Sequence, residues 1–226
     1  AYACSHLAMA FQTRGDLESA EEIYRHALAL HEELGEKESM AAVYSNLGVV
    51  FQTRGAFDDA EFMHRNALAL HEKLGFKEAM AGNFDNLGTV FEARGDLDAA
   101  AEMYLKALAL HDKLGNQEYM ARQLGKLGTL HMKQRDLDPA EEFYRKALAL
   151  YEELDREDGI ASHLGNLGSV SFLRGDLDEA EDLYRRSLAL DEMLGRQRGM
   201  ANQYGNLAKV FDARDDLDGA EKMHRK

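Results

Sequence analysis

The chain has 226 residues, 45% hydrophobic and 30% charged, with one proline, one cysteine and a formal net charge of −14. This hydrophobic content excludes a disordered chain, and the acidic balance excludes the basic face that a nucleic-acid or anionic-membrane partner needs. Cys4 alone can form neither an internal disulfide nor a thiolate metal site, and no apolar run approaches the length of a membrane span.

Taken in chain order, the sequence repeats every 40 residues without a gap, the kind of period that marks stacked supersecondary units. Ala20, Ala60, Ala100, Ala140, Ala180 and Ala220 coincide, as do Leu28, Leu68, Leu108, Leu148 and Leu188. A third column runs Leu7, Leu47, Leu87, Leu127, Leu167 and Leu207. Five full units (1–40, 41–80, 81–120, 121–160, 161–200) precede a partial sixth, 201–226, and the whole is read as one array over 1–226. In the second unit, Tyr44, Leu47, Gly48 and Phe51 fall at helical spacing between Met40 and Arg54. Ala60, Met63, Ala67, Leu68, Leu70 and Leu74 form a wider stripe from Asp58 to Leu74. Arg54-Gly55-Ala56-Phe57 predicts the turn between them. An acidic residue (Glu18, Asp58, Asp98, Asp138, Asp178, Asp218) marks the head of each second helix, and Gly35, Gly75, Gly115 and Gly195 mark its end. Pro139 falls in a first helical turn, where a missing N–H does no harm. Each unit therefore reads as an antiparallel helix hairpin.

The order Tyr44, Leu47, Gly48, Phe51, Ala60, His64, Ala67, repeated as Leu164, Leu167, Gly168, Ala180, Tyr184, Ser187, resembles the tetratricopeptide repeat. The usual unit of that family is about 34 residues; here the extra length lies at the end of the second helix and in the loop after it. This longer variant is similar to the repeats of Pins/LGN-type G-protein-signalling scaffolds, and more loosely to kinesin light chain. The small-residue columns at Gly48 and Ala60 separate it from HEAT repeats. The resemblance implies an all-α, right-handed superhelical solenoid of stacked hairpins. Its first helices would line a concave groove that takes a protein or peptide partner, with no cofactor.

On a helical wheel, the face opposite Tyr44, Leu47, Gly48 and Phe51 carries Ala42, Ser45, Asn46, Val49 and Thr53. The resemblance makes this the ligand face. One of its columns reads His6, Asn46, Asn86, Lys126, Asn166, Asn206, and the next reads Ser5, Ser45, Asp85, Gly125, Gly165, Gly205. An asparagine amide donates and accepts at once, which suits the backbone of an extended peptide. Its poor helix propensity argues against a purely structural reason for recurrence, and small neighbours leave room for the peptide to approach. Units four and five break the pattern. His131 and Ser171 stand in the Phe51 column, with Met132 and Phe172 one place later at the groove edge. Arg122, Lys126 and Lys133 make the middle of the groove basic; these departures read either as drift between duplicated units or as a site for an acidic or apolar anchor of the ligand.

Other signals read as structural. Glu21/Arg25, Glu61/Arg65, Glu141/Arg145, Glu181/Arg185 and Glu221/Arg225 are i,i+4 pairs on a solvated convex face. Arg-Gly-Asp recurs at residues 14–16, 94–96 and 174–176, where glycine reverses the chain and aspartate leads into a helix. His31, His71 and His111 share a column, but rungs ~8–10 Å apart do not converge on one metal, and hydrogen bonding near a helix end fits them better. Cys4 stands in the Tyr44 column and reads as core. No nucleophile elbow, phosphate loop or metal signature is present, so the chain is expected not to be an enzyme. The expected role is a protein-interaction scaffold in the cytoplasm, binding an extended peptide or partner segment in its groove. A regulatory or sensor module of a larger signalling enzyme is one alternative, and a structural array joined end to end is another. The N-terminus has no signal-peptide anatomy and opens inside a repeat, so the start of the gene product is expected upstream.

Overall fold

The computed structural model describes residues 2–226, and among them every regular element is an α-helix. The helices form two compact units, Ala1–Gly115 and Asn116–Lys226. The first unit holds α1 (Tyr2–Thr13), α2 (Leu17–Leu34), α3 (Lys37–Thr53), α4 (Phe57–Leu74), α5 (Lys77–Arg94) and α6 (Leu97–Leu114). The second holds α7 (Gln117–Gln134), α8 (Leu137–Glu153), α9 (Glu157–Arg174), α10 (Leu177–Met193), α11 (Gln197–Ala213) and α12 (Leu217–His224). Within each unit, helices pair as hairpins and each hairpin packs on the next.

The predicted hairpins are all present, and their ends follow from local chemistry. The side chains of Asp16, Asp96 and Asp216 accept from the backbone N–H of Ser19, Ala99 and Gly219 at 3.1, 3.1 and 2.9 Å, satisfying donors that a helix start leaves open. The acidic residues picked out by sequence lie two places later, in the first turn, where they complement the helix dipole instead. Gly35, Gly75 and Gly115 close α2, α4 and α6 in the left-handed region, with φ of 69°, 74° and 69°.

What holds a hairpin together is a ring lying on a glycine. Any Cβ on Gly48, Gly88, Gly128 or Gly168 would collide with the ring of His64, Tyr104, Tyr144 or Tyr184, sixteen residues on in the partner helix. The tyrosines bury their rings and still find partners for their hydroxyls. Tyr24 donates to Gln12 Oε1 (3.2 Å), Tyr104 to Glu92 Oε2 (2.8 Å) and Tyr184 to Ser169 Oγ (3.1 Å). His64 has no such partner: it is fully buried and neither ring nitrogen is hydrogen-bonded. Around these seams lie the apolar clusters, including Tyr24, Leu47, Val50 and Phe51 in the first unit and Tyr144, Leu164, Leu167 and Val170 in the second. Cys4 packs against the first of these, as its column implied.

Successive hairpins are also clipped on their outer face. Arg94, at the end of α5, ion-pairs with Asp58 and with Glu61 (2.5 Å) of α4. Arg54 does the same with Glu18 and Glu21, Arg174 with Asp138 and Glu141, and Arg214 with Asp178 and Glu181. Glu61, Glu141 and Glu181 thus accept from two arginines each, one in the same helix and one in the next hairpin. Partial burial pushes their carboxyls up, but the paired guanidiniums outweigh it and hold them below the usual carboxylate range. Such exposed pairs contribute only ~0–1 kcal/mol each.

Two predictions follow from departures from the repeat. Burial lowers the His64 pKa from 6.5 to about 4. Its contribution to stability is therefore intact above pH 6.5 and is lost as pH falls toward 4, by roughly 3 kcal/mol in all. His64→Tyr restores the residue found at Tyr24 and places its hydroxyl toward Gln52, the counterpart of Gln12. Urea unfolding at pH 7, 5 and 4 should show the variant losing less stability on acidification; an unchanged difference between pH 7 and pH 4 would contradict this. Arg135 closes α7 at φ 59°, where other repeats carry Gly15, Gly55, Gly95 and Gly175. Since a left-handed non-glycine residue costs ~1–2 kcal/mol and glycine returns ~0.5–1 of that through the unfolded chain, Arg135→Gly should raise the thermal midpoint modestly.

Candidate functional site

The faces set aside by sequence for binding belong to α3 and α5 in the first unit and to α7, α9 and α11 in the second. Asn46, Asn86, Lys126, Asn166 and Asn206 are all half-buried, one per helix and 40 residues apart. Among the described residues no hydrogen bond engages the side-chain amide of Asn46, Asn86 or Asn166. Asn206 leans on its own helix, donating to Gln203 Oε1 at 3.5 Å and accepting from Lys209 Nζ at 3.4 Å. Arg122, Lys126 and Lys133 share one stripe of α7, with Arg122 exposed and its guanidinium 5.4 Å from the Tyr119 ring centroid. Asp85 lies half-buried on α5 beside Asn86.

Two predicted residues have other work. Ser45 Oγ donates to Asn83 Oδ1 of the next first helix at 3.0 Å, so its hydroxyl serves the stack rather than open space. Two glycines of its column are also taken up by the stack: a Cβ on Gly125 would lie 2.6 Å from His163 Nε2, and one on Gly165 2.8 Å from Gln203 Nε2, while Gly205 has open space beside it. Phe172 packs into the cluster of Ala180, Tyr184, Leu207 and Val210. Its ring refills the core that Ser171 leaves short of a phenylalanine, so Phe172 is not a free apolar anchor. Ser171 itself is buried and donates its hydroxyl to the Leu167 carbonyl (3.2 Å) or Glu179 (3.0 Å). Met132 likewise turns inward, against Ala140, Tyr144 and Leu164.

Sequence reasoning missed a column of buried polar side chains beneath this face, at Asn83, His163 and Gln203. Asn83 Nδ2 donates to His71 Nδ1 and to the Ala79 carbonyl, each at 2.8 Å, which leaves that histidine nitrogen unprotonated. His163 Nδ1 donates to the Gly159 carbonyl (2.9 Å), and its ring lies 5.1 Å from that of Tyr151. Burial lowers the pKa of both His71 and His163, against smaller raising effects of Glu38 and the Gly159 carbonyl respectively. His31 Nδ1 meets Glu36 Oε2 at 2.6 Å. His31 and His71 thus find hydrogen-bond partners near helix ends, as the sequence reading held for their column, whereas the buried Nδ1 of His111 makes no hydrogen bond among the described residues.

In the last hairpins the same place is partly hollow. Asp191, at the end of α10, takes the position of His31, His71 and Tyr151, and a cavity of about 420 Å³ opens between α9 and α11. Asn166, Ser169, Gln203 and Asn206 line it, with one carboxylate, Asp191, and two cations, Arg196 and Lys209, among its walls. Asp191 is 2% exposed, and its Oδ1 makes no hydrogen bond. Arg196 lies 3.3 Å from that oxygen, but its guanidinium donates to the Asp158 carbonyl (2.8 Å) and to Ser162 Oγ (3.3 Å). Burial raises the Asp191 pKa, and Arg196 offsets this only in part.

Stacked hairpins, four of them with a ring-on-glycine seam, are the architecture of a tetratricopeptide-repeat array. A tetratricopeptide-repeat profile matches residues 2–73, and the profile described as the MalT-like TPR region matches residues 83–226; the chain belongs to this family of tetratricopeptide-repeat proteins. No curated protein matches it. Among solved structures, BtubC of P. vanneervenii is 25% identical with a TM-score of 0.79, over 92% of this chain and 87% of that one. A putative kinesin light chain repeat protein of Podosopora anserina is 18% identical with a TM-score of 0.73, over 87% and 96%. The tetratricopeptide-sensor STAND ATPase of Pyrococcus horikoshii is 17% identical with a TM-score of 0.86; the match covers 99% of this chain but 34% of that protein. Among the described residues, no helix is long and apolar enough to cross a membrane, and no cluster of His, Cys, Asp and Glu side chains meets the geometry of a metal site.

Proposed function

We propose that the chain is a binding module whose first helices hold an extended segment of a protein partner, and that it carries no catalysis of its own. The observation that carries this reading is the set of asparagine amides at Asn46, Asn86 and Asn166, presented at a fixed period with no hydrogen-bond partner among the described residues. A half-buried amide that gains a backbone donor and acceptor from a ligand recovers hydrogen bonds that packing alone withholds from it. Neighbouring first helices lie ~8–10 Å apart and an extended strand advances ~3.3 Å per residue. Asn166 and Asn206 would therefore meet ligand residues about three apart, as would Asn46 and Asn86. The stripe of Arg122, Lys126 and Lys133 favours an acidic group on the part of the ligand that lies over α7.

The match to the MalT-like TPR region favours a second, compatible reading: the groove acts as the sensor of a longer protein and reports occupancy to another domain. The Pyrococcus protein carries its tetratricopeptide repeats as a sensor. Ligand-dependent activity of the full-length gene product, absent from this segment alone, would mark that case.

Backbone recognition has a distinctive mutational signature. Asn46→Ala or Asn166→Ala should weaken many unrelated bound peptides alike, by ~0.5–1.5 kcal/mol, while alanine's better helix propensity keeps the fold intact. Fluorescence-polarisation titrations across a peptide panel read this directly. Unchanged affinities in both double variants, Asn46→Ala/Asn86→Ala and Asn166→Ala/Asn206→Ala, would end the groove reading.

A further inference from the structure

Asn83 is a polar residue in a place that packing fills without one. Its counterpart one repeat earlier is Val43, a member of the first apolar cluster. Both side chains are 2% exposed, and burying an amide costs free energy unless its hydrogen bonds are made. Asn83 makes three. Its Nδ2 donates to the Ala79 carbonyl and to His71 Nδ1, each at 2.8 Å, and its Oδ1 accepts from Ser45 Oγ at 3.0 Å. A carbonyl only accepts, so the Ala79 contact fixes which end of the amide is nitrogen. That orientation fixes the rest: His71 Nδ1 carries no proton, and the Ser45 hydroxyl is the donor in its bond to Asn83. His31, one repeat earlier, meets the Glu36 carboxylate instead. The three residues thus make a continuous chain of hydrogen bonds. It runs from the end of α4, through α5, to the face of α3 that carries Asn46.

We propose that His71, Asn83 and Ser45 form a proton-operated relay that reverses the hydrogen-bond polarity of Ser45 on the first-helix face beside Asn46. A proton taken from solvent at Nδ1 turns that nitrogen into a donor, facing the Asn83 Nδ2 donor at 2.8 Å. Two donors repel, and the amide relieves this by turning over about its last side-chain bond. Its Oδ1 then accepts from the imidazolium, a charge-assisted bond roughly twice as strong as a neutral one. Nδ2 now faces Ser45 Oγ, which has to accept, and the hydroxyl proton turns away from Asn83. The turn gives up the side-chain bond to the Ala79 carbonyl, which keeps the backbone N–H of its own helix. Ser45 thus offers a lone pair to its face at neutral pH and a donor in acid. α4 packs against α3 and α5. From α3, Glu38 faces His71 and favours the proton. At the start of α5, Lys77 and Glu78 share a surface notch with Glu38 and Phe76. Glu72 and Lys73 follow the ring on α4, both exposed. Burial outweighs Glu38 and holds the His71 pKa below 6.5. At pH 7 the relay therefore stays in its neutral setting, and it switches only on acidification. It does not depend on the groove reading, and its test involves no ligand, so either can fail alone.

Nuclear magnetic resonance of the intact ¹⁵N-labelled chain reads each link, over the range from pH 7 downward in which helical circular dichroism stays constant. At pH 7 the His71 ring should show an unprotonated Nδ1 and a protonated Nε2. On acidification the His71 ring, the Asn83 side-chain amide and the Ser45 backbone amide should shift with one shared midpoint, below pH 6.5. Asn83→Val, copying Val43, should leave His71 titrating while the Ser45 shift is lost. Glu38→Gln should move the His71 and Ser45 midpoints down together, because it removes a charge that favours the proton. A proton on Nδ1 at pH 7, or a Ser45 midpoint different from that of His71, would overturn the proposal, and neither reading needs a variant. So would a Ser45 shift that survives in folded Asn83→Val. Loss of the Ser45 shift in Glu38→Gln while His71 still titrates would also sink it, since Ser45 would then be reporting Glu38.

Discussion

The closeness of two helices within a hairpin is the constraint from which the rest follows. An aromatic ring can lie flat on a neighbouring helix only where that helix lacks a Cβ, and the columns at Gly88/Tyr104, Gly128/Tyr144 and Gly168/Tyr184 meet that condition. Each fully buried ring is worth roughly 1.5–3 kcal/mol relative to an exposed one. The seam also fixes rotation: once the glycine face is turned toward the partner helix, the asparagine face must point away from it. His64 keeps the shape of the seam while losing the hydroxyl partner its tyrosine counterparts have, so the geometry tolerates a ring of another chemistry at an electrostatic cost.

A second layer of contacts, between the end of one hairpin and the start of the next, is where the repeats differ. The place occupied by His71 and Asn83 in one repeat is taken by Tyr151 and His163 in another and by Asp191 and Gln203 in a third. The first two pairs complete the packing with rings and hydrogen bonds. The third does not, and a cavity results. Gly125 and Gly165 admit the side chains of His163 and Gln203, which accounts for two members of a column that sequence reading had assigned to ligand clearance.

Contacts within one hairpin were legible in the sequence because their partners lie on two helices of the same 40-residue unit: the repeat, the turns and the ring-on-glycine spacing all fall in one window. What escaped reading spans two units. The hydroxyl of Ser45 meets a partner 38 residues away, and Arg94 reaches Glu61 and Asp58 at separations of 33 and 36. A single repeat cannot reveal these, although their recurrence at Arg174 and Arg214 is a periodic signal available to a search between columns. Phe172 escaped for another reason. A one-residue shift turns a side chain by about 100° on a helix, which pointed to the groove edge, but the vacancy left by Ser171 drew the ring back into the core. The Arg-Gly-Asp turns at 94–96 and 174–176 are used structurally: arginine clips the preceding helix, glycine takes positive φ, and the aspartate stands at the head of the next helix.

A ladder of equal rungs has a consequence for selectivity. If asparagine amides at a fixed period grip a peptide backbone, sliding that peptide by one rung, about three residues, leaves every backbone contact in place. Regular positions can then supply affinity but cannot set register. Register has to come from positions where the period fails. In the second unit these are Lys126, which breaks the asparagine column, and Asp191, which breaks the ring column. Both stand off the regular pattern at fixed points, Lys126 on α7 and Asp191 on α10, so under that reading a ligand feature that meets either one fixes the register. On that reading, duplication would give such an array its grip, and divergence at a few rungs its preference.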